Sequence, residues 1–130
     1  MDDKTAQTKT ILLVEDELPF RQIYKDAFLN MLNYRVVEAE NGEEALEVIH
    51  EQPPDIVLLD LVLPKLSGFD VLAQIKNDPN YKHIPVVVYS VIDQKSEVER
   101  AMKLGASDFT IKGMTPAAEV VEKVKKLLGE

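Results

Sequence analysis

Five short apolar, β-branched runs recur along the 130-residue chain, each followed by a stretch of helical period. They are Ile11-Leu12-Leu13-Val14, Val36-Val37-Glu38-Ala39, Ile56-Val57-Leu58-Leu59, Val86-Val87-Val88-Tyr89 and Phe109-Thr110-Ile111. Strands that alternate with helices pack as a parallel sheet between two helical layers. The first, third and fourth runs are apolar throughout, as strands covered on both faces require. The second and fifth carry polar residues, which suits the edges. A chain of this length holds one core, so the pattern predicts a single doubly wound α/β domain. Residues 1–8 are expected to be a flexible tail and 9–130 the domain.

The intervening helices have readable starts. Pro19 sits in the first turn of one whose apolar face reads Phe20, Ile23, Ala27, Phe28 and Met31. Asn41 caps the next, with Glu44 three residues on completing a capping box and Ala45, Val48 and Ile49 facing inward. Ser67-Gly68 opens a third, burying Val71, Leu72 and Ile75. Asp93 is the expected cap of the fourth, which carries Val98, Ala101 and Met102 and stops at Gly105. Thr115-Pro116 begins the fifth, with a stripe of Val120, Val121, Val124, Leu127 and Leu128.

Several function classes fall away on composition. The chain has no cysteine, which excludes disulfides, thiolate nucleophiles and cysteine-bound zinc. A net charge of −8 disfavours binding to nucleic acid or to anionic membranes. The apolar runs fall far short of the ~20 residues of a membrane span, and the polar, acidic start is unlike a signal peptide. A cytoplasmic protein is expected. Residues 1–60 nevertheless hold 5 basic and 14 acidic groups, net −9, against +1 for the remainder. That asymmetry asks what gathers carboxylates in the first half.

Right-handed crossovers bring the C-terminal ends of all parallel strands to one edge of the sheet, where such folds place their chemistry. The first strand is followed by Glu15-Asp16-Glu17, the third ends in Asp60, the fourth in Ser90, and the fifth runs into Lys112. Each has an ordinary reading alone: Asp16 as a helix cap, Ser90 as a turn residue, Lys112 as a solvated lysine. Together they place carboxylates, a hydroxyl and an ammonium on one edge. Carboxylates that converge there repel, and at least one should hold its proton more tightly than usual. A hard cation such as Mg2+, which takes carboxylate, water and phosphate oxygens, relieves that conflict.

The ordered set Ile11-Leu12-Leu13-Val14-Glu15-Asp16-Glu17, Ile56 to Gly68, Ser90, Gly105-Ala106-Ser107-Asp108-Phe109 and Lys112 resembles the receiver domain of two-component response regulators, including the stand-alone chemotaxis type. The resemblance runs from Lys9 to Leu128. It implies a flavodoxin-like (βα)5 fold with strand order 2-1-3-4-5. It also implies that Asp60 accepts a phosphoryl group with Mg2+ held by Glu15, Asp16, Asp60 and the backbone carbonyl of Val62. Lys112 would pair with a phosphoryl oxygen. Ser90 and Phe109 would be switch residues, the first donating to the phosphoryl group and the second rotating inward.

By the same resemblance the protein is a signalling switch and not a turnover enzyme. A sensor histidine kinase or phosphotransfer protein would supply the phosphoryl group. If the chain stands alone and is not excised from a longer protein, a downstream protein would read the face formed by the fourth helix, fifth strand and fifth helix. That face could also form a homodimer. Neither DNA nor a membrane is an expected partner.

Three positions depart from the family pattern. Val91 stands where alanine is usual, Gly113 where proline is usual, and Glu15 where aspartate is common; a trans Lys112–Gly113 bond is expected, because cis costs ~2.5–4 kcal/mol without proline. His50 and His83 read as surface residues, Met31, Met102 and Met114 as packing or loop contacts, and Lys123, Lys125 and Lys126 as a solvated face. A haloacid-dehalogenase-type phosphatase needs an acid at the position of Val62, and a flavodoxin phosphate would be repelled by Glu15-Asp16-Glu17. The remaining alternative is a receiver-like interaction module that is not phosphorylated.

Overall fold

The computed structural model describes residues 8–91 and 94–130. Ten elements alternate along it: β1 (Thr10–Val14), α1 (Leu18–Leu32), β2 (Arg35–Ala39), α2 (Gly42–Glu51), β3 (Ile56–Asp60), α3 (Gly68–Asn77), β4 (Val86–Ser90), α4 (Lys95–Lys103), β5 (Asp108–Ile111) and α5 (Ala117–Leu127). The strands form one parallel sheet in the order β2-β1-β3-β4-β5. The three uniformly apolar runs are the central strands, and the two with polar residues are the edges. The order reverses between β1 and β3, where the flanking loops diverge and leave a crevice.

Successive strand residues face opposite helical layers. Leu12, Val14, Val57, Leu59, Val86 and Val88 join Ala45, Ile49, Val71, Leu72, Ile75 and Ala101 beneath α2, α3 and α4. Ile11, Leu13, Ile56, Leu58, Val87 and Tyr89 join Tyr24, Phe28, Val120, Val121 and Val124 beneath α1 and α5. Most of the expected caps are present. Asn41 accepts from Glu44 N, while the Glu44 carboxylate accepts from Glu40 N, one residue before the position an ideal capping box uses. Ser67 accepts from Asp70 N. Gly105 ends α4 with φ +112°, in the left-handed region.

Three helical faces differ from the expected stripes. In α1 the buried residues are Tyr24 and Phe28, while Ile23 and Met31 are 52% and 54% exposed. This helix is apolar nearly all round, so period alone left its rotation open. Met102 and Leu127 point outward as well, with Ala101 the one fully buried residue of α4. Met114 is the most exposed methionine of the three considered. Asp93 lies outside the described residues, and the residue before α4 is Gln94, whose side chain makes no capping bond. Lys123 is not merely solvated: its ammonium reaches Asp108 at 3.0 Å and ties α5 to β5. His50 and His83 are exposed, as expected.

Candidate functional site

The acidic residues after β1 are positioned by backbone pairing on one side and by an arginine on the other. Glu15 N donates to Ala39 O at 3.0 Å, continuing the β1–β2 ladder past the strand. Arg21 on α1 donates to Glu15 O at 3.1 Å and is itself held by Glu38 and Glu40 at the end of β2. The helix starts two residues beyond Asp16, at Leu18. Glu17 is its cap residue and makes no side-chain cap bond. Asp16 is therefore not consumed as a cap and stands exposed at the mouth of the crevice.

Asp60 closes the crevice from β3. Its Oδ1 accepts from Val62 N at 3.1 Å, and the start of α3 presses on the same turn. Gly68 makes that approach feasible: a Cβ there would lie 2.2 Å from Asp60 O and 2.5 Å from Leu61 Cα. Gly68 N instead donates to Leu61 O at 2.9 Å. Glu15, Asp16 and Asp60 each offer an oxygen within 4.8 Å of the others. An all-oxygen carboxylate set of this kind fits a hard divalent cation.

Lys112 is the counter-charge. The residue is 6% exposed, and its ammonium lies 2.9 Å from Asp60 Oδ2, 2.9 Å from Glu15 Oε1 and 2.7 Å from Glu17 Oε1. The Phe20 ring packs beneath it, 4.6 Å from the charge. Backbone geometry aims the side chain: Lys112 N donates to Ser90 O at 2.9 Å, and the chain then turns through Gly113 at φ +84°. All peptide bonds of the described residues are trans, the Lys112–Gly113 bond included. Glycine thus supplies a positive-φ turn where the family pattern has proline, and the ammonium still reaches the crevice.

Burial pushes the Asp60 carboxyl up to about 6, with the Glu15 charge adding to it, although Lys112 and Val62 N pull the other way. The repulsion anticipated from sequence is present, but desolvation is the larger cause. For Lys112, burial acts downward, yet hydrogen bonds to Glu17, Glu15 and Asp60 outweigh it and leave the ammonium above its ordinary value. It stays charged at neutral pH.

The remaining expected residues gather on the same edge. Ser90 is fully buried at the end of β4. Val62 and Val91 flank the crevice with exposed side chains. Phe109 is half-buried on β5, opposite Val88 in register, and packs against the layer beneath α2, α3 and α4. Sequence reasoning gave no individual role at this site to Glu17, Phe20, Arg21 or Tyr89. Tyr89 carried one signal, a hydroxyl in an otherwise apolar central strand. It is 0% exposed, and its hydroxyl donates to Glu15 Oε1.

Residues 11–125 match the family described as response regulator receiver domain. The chain belongs to that family. It is 39% identical over 121 residues to the chemotaxis protein CheY of Thermotoga maritima, covering 92% of this chain and 97% of that protein. It is 35% identical over 120 residues to the phosphate regulon transcriptional regulatory protein PhoB of Pseudomonas aeruginosa, covering 92% of this chain and 52% of that one. The chain spans about half the length of the transcriptional regulators it matches. Among solved structures it is similar to the phosphorylated cyanobacterial phytochrome response regulator RcpA, with a TM-score of 0.82, 30% identity and coverage of 93% and 94%. Membership makes this a two-component signalling domain of a family whose acidic pocket takes Mg2+ or Mn2+ and whose members meet histidine kinases and effectors. None of the helices in the described residues is long and apolar enough to cross a membrane.

Proposed function

We propose that this chain is a phosphorylation-dependent switch that takes a phosphoryl group on Asp60. The observation that carries the reading is Lys112, whose buried ammonium bridges Asp60 and Glu15 within the carboxylate cluster. Glu15, Asp16, Asp60 and the Val62 carbonyl would hold Mg2+. Held there, the ion would supply positive charge to offset that of the carboxylates and of an incoming phosphoryl group.

The chain's own residues do the rest. An Asp60 carboxylate oxygen attacks phosphorus and forms an O–P bond. The bond from phosphorus to the donor, a phosphohistidine nitrogen or the oxygen of a small acyl phosphate, breaks, and the leaving group keeps the electron pair. The transition state is loose, so positioning and charge compensation supply most of the acceleration. Lys112 moves its hydrogen bond from Asp60 to a phosphoryl oxygen. Leu61, Val62 and the start of α3 fix the carboxylate so that it need not reorganise.

The product adds roughly −1.5 to −2 charges and three strong acceptors by analogy with other phosphorylated side chains. Ser90, at the end of the adjacent strand, donates to one of them and draws the loop after β4 inward. Phe109 follows and reshapes the α4–β5–α5 face, which a downstream protein or a second copy of the chain reads. A histidine kinase or phosphotransfer protein is the donor. The protein catalyses its own phosphorylation and slow dephosphorylation without being a turnover enzyme, and it acts in the cytoplasm.

Intact mass after incubation with acetyl phosphate and Mg2+ tests the reading. One added phosphoryl mass is expected in wild type and none in Asp60→Asn. An unmodified wild type that also fails to respond to beryllofluoride would instead favour a passive interaction module.

A further inference from the structure

We infer that Tyr89 is a positioning residue for the cation site, acting through Glu15. The inference rests on the reading above. Glu15 carries the most buried carboxylate of the cluster, at 0% exposure, so each oxygen needs donors. Its Oε2 accepts from Glu17 N at 2.8 Å and from Lys112 at 3.0 Å. Its Oε1 accepts from the Tyr89 hydroxyl and also lies against Lys112.

These donors are not equivalent when the site is loaded. Lys112 is drawn towards the phosphoryl group, and its hold on Glu15 weakens. Glu17 N and the Tyr89 hydroxyl remain, and only the second is a side chain. The phenol is itself fixed, because its ring lies edge-on to Tyr24 with centroids 5.0 Å apart. A phenol keeps its proton at neutral pH and so stays a donor to Glu15.

The arrangement also accounts for glutamate at position 15. Tyr89 stands on β4, with β3 between it and β1. The extra methylene of glutamate lets the carboxylate meet a hydroxyl coming from two strands away. An aspartate would end about one carbon–carbon bond short. Outer partners of metal-binding carboxylates fix ligand orientation, and their loss typically weakens metal binding by about 10- to 100-fold.

The test is the Mg2+ dissociation constant, measured by isothermal titration calorimetry on wild type, Tyr89→Phe, Glu15→Asp and the double variant. Tyr89→Phe removes one oxygen and keeps the ring on Tyr24. It should weaken Mg2+ about tenfold, while in the Glu15→Asp background the same substitution should change affinity less than about twofold. A purely structural tyrosine would shift the melting temperature and leave these constants alone. Equal Mg2+ affinity in wild type and Tyr89→Phe would overturn the inference, as would equal losses in the two backgrounds. In wild type, a slowly exchanging Tyr89 hydroxyl proton should persist in NMR spectra at saturating Mg2+; its disappearance on loading would overturn the inference without any variant. Acetyl phosphate labelling separates the two levels of the account. Wild type that is labelled with Mg2+ while Tyr89→Phe binds the ion normally refutes the role of Tyr89 alone, whereas wild type that neither binds Mg2+ nor is labelled refutes both.

Discussion

Asp60→Asn should make the cation-free protein more stable at neutral pH, and the gain should vanish in acid. Asp60 is 2% exposed, and its carboxyl is raised from its ordinary 3.8 to about 6. At roughly 1.4 kcal/mol per tenfold change in proton affinity, keeping it ionised in the fold costs about 3 kcal/mol at neutral pH. The folded state therefore binds more protons than the unfolded chain between about pH 4 and about pH 6. Stability from the protonated carboxyl is complete below about 4 and is lost as pH rises through about 6. Asparagine removes the charge but gives Lys112 only a neutral oxygen, so the net gain should be about 1–3 kcal/mol at neutral pH. Lys112 keeps Glu15 and Glu17 as partners. Urea unfolding followed by circular dichroism, in a chelator and across this pH range, measures the difference. A variant no more stable than wild type at neutral pH, or a gap that is constant with pH, would refute the reasoning.

Other perturbations test separate parts of the structure. Val91 is 62% exposed at the rim of the site. If its branched side chain hinders the attacking water, acyl-phosphate decay should be faster in Val91→Ala, and equal or slower decay would count against this. The Thr110 hydroxyl oxygen is buried without a hydrogen-bond partner among the described residues, so Thr110→Val should raise stability by about 1 kcal/mol in urea titrations. Gly68→Ala forces a carbon against the Asp60 carbonyl; it should cost about 1–3 kcal/mol and reduce the rate of acetyl phosphate labelling, and an unchanged rate would show that the β3–α3 approach does not position Asp60.

Much of the fold was legible because both-face burial leaves a plain mark on a parallel strand. Ile11 to Val14, Ile56 to Leu59 and Val86 to Tyr89 could only be central, and they are. The acidic edge was legible for a topological reason: parallel strands deliver their ends to one side whatever the packing details. The rotation of α1 was not, since Ile23 and Tyr24 are adjacent apolar residues and only the tertiary fit chooses between them. The particular roles of Glu17 and Tyr89 were not legible because they arise from contacts between elements far apart in sequence, with Lys112 and Glu15 respectively. Thr110 showed the opposite case. A hydroxyl in an edge strand reads as solvent-facing, yet Thr110 is 3% exposed.

The most direct test of the central claim is the chemical identity and position of the modified residue. Protein treated with acetyl phosphate and Mg2+ can be reduced with borohydride, which converts an aspartyl phosphate to homoserine, and then mapped by peptide mass spectrometry. The account predicts homoserine at position 60 alone. Homoserine at position 16, or none at position 60 in protein carrying an added phosphoryl mass, would contradict it.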